Sequence, residues 1–393
     1  MATDAARQGL GSAQRSVTER NDRTHRLFGC AALLMLGASP AIAQPIAPPT
    51  LDTAAIVAAL DADRAPGTVL IARGDQIVFE RTVGTVAPGG TTPHQLGRVW
   101  RWASVTKQIT ATIAMQEVAA GRLDLDAPIT RYLPDSKAPY ASRLTARLLM
   151  QHISGLPRTE EGPEGKDGWS TFYSVDLGSP ATGRTWCEGP TTRAPMSEFF
   201  YGDCDFIMMA AVIEATSGKP YSSLIAERIA QPLGLTSVGL FPRAEPTVPG
   251  FGEGKPESTA FRLENFGGAG ALYGTTRDLF AFDRALMNGT LLPVEQRAVM
   301  WDGKPEYGFA ALGQWSFRVP LKNCGDAPVH IVERRGFIGG VVLRNIILPE
   351  QDVVIIMTAN RAEAEAAYGE IWQQAGITHD VIRAALCATG TPR

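Results

Sequence analysis

Strand-like apolar runs lie near both ends of this 393-residue chain, and the long stretch between them reads as helix. Near the start, Gly67–Ala72 and Ile77–Val83 flank Arg73-Gly74-Asp75-Gln76, a hairpin signal. Near the end come Phe309–Phe317, His330–Glu333, Val341–Ile347 and Val353–Thr358. Helical spacing covers 105–120, closed by Gly121, and then 143–151, 203–217, 221–230 and 275–288. Two further helix patterns lie outside the middle, at Leu51–Leu60 behind Asp52-Thr53 and at Ala362–Gln374. Strands so far apart in sequence share a core most simply as one antiparallel sheet built from both termini. Helices flank that sheet and a helical region is inserted into it, an α/β (α+β) architecture. The sheet region is expected at about 51–100 and 305–390, and the helical region at about 105–300.

The composition is that of a globular enzyme rather than a nucleic-acid binder. Hydrophobic residues make up 45%, the formal net charge is −3, and no Lys/Arg stripe is present. Residues 1–43 read as a cleaved export signal. A basic, polar stretch ends at Arg23 and Arg26, an apolar run follows from Leu27 to Leu36, and Ala41-Ile42-Ala43 is an A-x-A cleavage pattern. The apolar run is shorter than the ~20 residues of a membrane span, so no stable span is expected after cleavage. An uncleaved anchor and a start site assigned too early are the alternatives. The remainder, 44–393, reads as a single catalytic domain, exported and therefore periplasmic or secreted.

Export changes how the cysteines read. Cys187, Cys204, Cys324 and Cys387 remain after cleavage. Proximity in sequence favours Cys187–Cys204 and Cys324–Cys387, and four free, mostly buried thiols is the other reading. Two loops rich in Gly, Thr159–Ser170 and Gly178–Pro195, are long enough to be functional edges of a site.

Ser104-Val105-Thr106-Lys107 opens the 105–120 helix. Three-residue spacing puts the hydroxyl and the amine on one helical face. A serine at a helix N-terminus has backbone N–H groups and the positive dipole end beside it, which suit a developing oxyanion. A removable proton requires Lys rather than Arg, and this chain otherwise favours Arg. A Ser cap followed by a solvated Lys is the plainer reading of those four residues alone.

The surrounding runs raise the motif above chance. Gly121-Arg122-Leu123-Asp124-Leu125-Asp126-Ala127-Pro128-Ile129 follows the helix. Leu148-Leu149-Met150-Gln151-His152-Ile153-Ser154-Gly155-Leu156-Pro157, Phe200-Tyr201-Gly202-Asp203 and Gly267-Gly268-Ala269-Gly270-Ala271-Leu272-Tyr273-Gly274-Thr275 come later, in that order. Together these resemble the serine β-lactamase and penicillin-binding-protein family, in its class C β-lactamase, D-Ala-D-Ala carboxypeptidase and esterase branch, over roughly 52–375. The resemblance implies a β-lactamase/transpeptidase-like fold and a serine hydrolase working through an acyl-enzyme. Ser104 would be its nucleophile, and Lys107 and Tyr201 would share the proton traffic. His152 falls in a run that is structural in the family. No cofactor is implied. His94, His330 and His379 lack metal-ligand spacing, so no metal is expected.

Two positions depart from the family pattern. Its Asn two residues after the Tyr is here Asp203, which only accepts hydrogen bonds and favours an ammonium on Lys107. Its Lys-Thr-Gly or His-x-Gly strand motif is here Arg334-Arg335-Gly336-Phe337. Arg334 would then sit in the cation's place, able to anchor a substrate carboxylate. The N–H of Phe337 would join that of Ser104 in an oxyanion hole. An exposed Arg pair on an edge strand is the alternative. Asp203, Arg334, Gly336 and Phe337 are therefore the expected substrate-binding set, and the substrate a small ester, β-lactam or peptide. The competing reading is a catalytically degenerate penicillin-binding-like protein that holds a ligand or partner without turnover.

Overall fold

A computed structural model describes residues 51–387, apart from Asp167, 178–179 and 257–260. The expected 1–43 signal lies outside the described residues. Six strands form the main sheet: β1 Gly67–Arg73, β2 Gln76–Val83, β3 Trp315–Val319, β4 Val329–Ile338, β5 Val341–Leu348 and β6 Val353–Ala359. Their order is β2-β1-β6-β5-β4-β3, with every neighbouring pair antiparallel. Gly67 faces Ala359 and Arg73 faces Val353, so the first strand of the chain is zipped to the last.

Burial on two faces explains the apolar strands. In β6, Val354 and Ile356 face the inserted helical region, whereas Val353, Ile355 and Met357 face the opposite layer. A strand covered on both sides reads as a continuous apolar run, because neither parity meets water. Each such Val or Ile contributes ~1.5–3 kcal/mol of transfer free energy. The edge strand β2 has only exposed and half-buried positions, and its Gln76, Glu80 and Arg81 are polar.

Five helices matter to the site and its support. They are α1 Thr53–Ala59, α2 Thr106–Ala119, α3 Cys204–Ser217, α4 Thr276–Met287 and α5 Ile377–Leu386. Asp52 caps α1, accepting from the Ala55 N–H at 2.8 Å. Ile56 of α1 joins Val381 and Ile382 of α5 in the core on one face of the sheet. Helices α2, α3 and α4 supply the core on the other face, where Ile109, Phe206 and Phe282 lie. All but one residue of α2 from Thr106 to Glu117 is buried.

Three expectations are corrected. The strand placed at Phe309–Phe317 begins only at Trp315. Phe309 and Gly313 take positive φ, and a Cβ on Gly313 would stand 2.8 Å from the Lys107 carbonyl oxygen. That apolar run is a loop pressed against the first turn of α2. The helix expected over Ala362–Gln374 breaks at Gly369, whose φ of 68° and ψ of −162° suit glycine alone. The Gly178–Pro195 loop contains a helix, Pro180–Cys187, which opens on Pro as first helical turns often do. Cys187 is bonded to Cys204 at the start of α3, and Cys324 to Cys387 just past α5. No helix among the described residues is long and apolar enough to cross a membrane.

Candidate active site

Ser104 stands on a short 3-10 turn, Ala103–Val105, that runs directly into α2. The residue before it, Ala103, has φ of 47°, a left-handed conformation that costs a non-glycine residue about 1 kcal/mol or more. Packing holds it there. Trp102 donates its N–H to the Leu272 carbonyl at 2.9 Å, and Val105 donates to Trp102 at 3.0 Å. Strand β4 closes over this turn at Gly336, where a Cβ would lie 2.4 Å from the Trp102 carbonyl oxygen. Gly336 was expected to bind substrate. It is buried instead, and its lack of a side chain lets the strand approach the serine's turn.

Two side chains converge on the hydroxyl. Lys107 Nζ donates to Ser104 Oγ at 2.9 Å, and Tyr201 Oη lies 2.8 Å from the same oxygen, donating to it. Lys107 is fully buried. It also donates to Asp203 Oδ1 at 2.6 Å and to the Ala269 carbonyl at 2.9 Å. Three acceptors around one nitrogen match the three donors of an ammonium, whereas a neutral amine has only two. Asp203 is the N-cap residue of α3, yet makes no side-chain bond to the helix. Its carboxylate turns to the lysine instead.

Arg334 is also corrected. Its strand is not at the sheet edge, since β3 lies outside it. Its side chain is buried and absent from the cavity wall. The guanidinium donates through Nε to the Ser104 carbonyl at 2.8 Å and through Nη2 to the Tyr201 oxygen. Its geometry is that of a cation set behind the phenol, not of an anchor for a substrate carboxylate. Burial pulls its pKa below the ordinary arginine range, partly offset by Tyr201 and Asp203. The Tyr201 ring lies between neighbours of both kinds, with Lys107 Nζ 5.0 Å and Arg334 Cζ 5.2 Å from its centroid.

His152 packs against Tyr201, ring centroids 4.4 Å apart, and its Nδ1 is 2.8 Å from Asp205 Oδ2. Burial, reinforced by Arg334 and Lys107, pushes its pKa well below the usual histidine range. It is buried and hydrogen-bonded, as its motif implies.

A cavity of about 500 Å³ opens in front of Ser104. Tyr201, Asp203, Phe337 and Trp315 line it, as do Glu160, Trp169 and Tyr173 from the 159–173 segment. Phe337 is half exposed, at 50%, on the last turn of β4. Glu160, Trp169 and Tyr173 were not singled out in the sequence. The long loop containing the first two was the signal that pointed to them. Among the described residues no cluster of His, Cys, Asp and Glu is arranged to hold a metal.

The two-termini sheet, the inserted helices and a serine at the mouth of α2 together make a β-lactamase/transpeptidase-like fold. The β-lactamase family pattern matches residues 53–378, and the chain belongs to that family. Esterase EstB of Burkholderia gladioli is 32% identical over 54% of this chain and 59% of its own length. The D-alanyl-D-alanine-carboxypeptidase/endopeptidase AmpH of Escherichia coli is 31% identical over 42% of this chain and 43% of its own. The matched part thus spans about half the length of these relatives. Among solved structures, a D-stereospecific amidohydrolase from Streptomyces sp. superposes with a TM-score of 0.67 at 24% identity, covering 86% of this chain and 100% of that one. The D-amino acid amidase of Ochrobactrum anthropi SV3 gives 0.68 at 21%, covering 84% and 98%. At those identities the likeness is one of fold.

Proposed function

We propose that the chain is a serine hydrolase that cleaves an ester or amide through an acyl-enzyme on Ser104. The observation that carries this reading is the pair of hydrogen bonds to Ser104 Oγ, from Lys107 at 2.9 Å and Tyr201 at 2.8 Å. Once the phenol is ionised, a hydroxyl placed between it and the lysine has a proton acceptor and a compensating charge within reach.

Tyr201, as the phenolate, takes the Ser104 proton while Oγ attacks the substrate carbonyl. Arg334 donates to the Tyr201 oxygen, and Lys107 Nζ lies 5.0 Å from its ring centroid. The backbone N–H groups of Ser104 and Phe337 stabilise the oxyanion. Tyr201 then gives the proton to the departing alcohol or amine, leaving the acyl group on Oγ. In the second half Tyr201 deprotonates a water, which attacks the ester. The acid leaves, and Oγ recovers its proton. Asp203 and the Ala269 carbonyl hold Lys107 Nζ in place beside the serine throughout.

The family membership and the names of the curated relatives, an esterase and a carboxypeptidase, support the ester-or-amide class. The Ala41-Ile42-Ala43 pattern and the two disulfides support an exported protein, periplasmic or secreted. A panel of nitrophenyl esters, a chromogenic β-lactam and D-amino-acid peptides tests the activity. A fluorophosphonate probe on the same preparation tests the serine. Turnover and labelling are both expected, and both vanish in Ser104→Ala. Absence of labelling and of all turnover in the folded wild type would favour the non-catalytic binding reading.

A further inference from the structure

The charges around the cavity are unequally compensated. Three carboxylates line it, Glu160, Asp203 and Glu365, against one cation, Arg335. Asp203 is paired with Lys107. Glu365 accepts both arms of Arg344, at 2.9 and 3.0 Å. Arg335 is gripped by Glu333 and Glu370, two contacts to each, which take four of its five donors. Glu160 differs. Its hydrogen-bond partners among the described residues are neutral hydroxyls, Tyr173 Oη at 3.0 Å and Thr159 Oγ1 at 3.2 Å. Burial, with the Glu160 and Asp203 carboxylates beside it, pushes the Tyr173 phenol far above its usual range, so it remains a neutral donor. Arg158, two residues before Glu160, donates to the Tyr201 carbonyl at 2.8 Å and stacks on Phe200.

Three rings cluster beside this carboxylate. Trp169, Tyr173 and Phe261 have mutual centroid distances of 5.7, 5.5 and 5.4 Å, and all three line the cavity. A carboxylate without a cation, beside aromatic faces, attracts an alkylammonium through both its charge and the ring quadrupoles. A substrate carboxylate would instead meet Glu160, and among the described residues the one cation lining the cavity, Arg335, is already held by two carboxylates.

We propose that Glu160, with Trp169 and Tyr173, forms a subsite for a protonated amino group on the acyl side of the substrate. The enzyme then acts on amino-acid amides or esters with a free amine rather than on N-acylated or acid-bearing donors. This rests on the reading of Ser104 as the acylated residue. The test uses the full chain and both enantiomers of phenylalanine p-nitroanilide, each with a free, N-acetylated or N-succinylated amine. At neutral pH the free amine of the preferred enantiomer should exceed the N-acetyl form at least tenfold in kcat/KM, with the N-succinyl form poorest. Glu160→Gln should collapse the free-to-acetyl ratio about tenfold or more, and Glu160→Lys should shift preference toward the N-succinyl donor. If anilides turn over too slowly, the same order is read from protection of Ser104 against fluorophosphonate. Equal or better use of the N-acetyl or N-succinyl forms, or an unchanged ratio in Glu160→Gln, overturns the subsite. Loss of both labelling and turnover of every donor overturns the hydrolase reading itself, and the subsite with it.

Discussion

Arg334 and Arg335 are adjacent on β4, point to opposite faces of the sheet and have opposite surroundings. Arg335 meets two carboxylates, Glu333 and Glu370, and stacks over Trp372 with its Cζ 4.9 Å from the ring. Although burial opposes it, the bonds to Glu370 and Glu333 push its pKa up. Arg334 meets a serine carbonyl and a phenol, and burial dominates, pulling its pKa down. A cation with permanent counter-charges holds structure. A cation facing a group that changes charge during a reaction serves the chemistry.

Four substitutions can break or sharpen that contrast. Tyr201→Phe removes the phenol that Arg334 faces, and kcat/KM should fall about 100- to 10,000-fold with the fold intact by circular dichroism. A change below about tenfold would mean another group takes the proton. Arg335→Met leaves the buried Glu333 with only the longer contact to Arg344 at 3.7 Å, and urea unfolding should show a loss of about 1–3 kcal/mol. An unaltered midpoint would show that this arginine is not structural. Arg334→Met should do the reverse. The melting midpoint should hold or rise, because a buried cation without a carboxylate partner is removed. Activity should drop about 100-fold, because the cation bonded to the Tyr201 oxygen is lost. The smallest effect is expected from Asp203→Asn, less than about tenfold at neutral pH. Asp203→Asn replaces one of the three acceptors around Lys107 Nζ by an amide, which should show in the pH profile of kcat/KM. Identical kinetics and an identical profile would sink the role given to Asp203.

The contrast also marks where sequence reading stops. The sheet was legible because β1 and β6 are largely apolar in both parities, as is β5 apart from its buried Arg344 and Asn345, a pattern that burial on two faces favours. Ser104 and Lys107 were legible because helical spacing converts three residues of sequence into one shared face. Arg334 was placed correctly in the chain but given the wrong neighbour. The ladders to β3 and β5 fix which way Arg334 faces, but what it meets there comes from far along the chain, and no local pattern encodes that Tyr201 would lie beside it. Gly336 was read as a binding residue because it sits in a motif, whereas its role comes from the approach of the Trp102 carbonyl. The break at Gly313 was missed for a related reason, since that glycine answers to the distant Lys107 carbonyl, whereas Gly369 answers to the nearby Ala375 carbonyl.

The central claim is a covalent bond between Ser104 Oγ and the acyl half of the substrate. Rapid acid quench during turnover of an activated ester, followed by peptide mapping, reads that bond directly. The prediction is an acyl adduct on the peptide containing Ser104, formed within the first turnover and absent from Ser104→Ala. Hydrolysis that proceeds with no adduct on that peptide, or with the adduct on another residue, would contradict it.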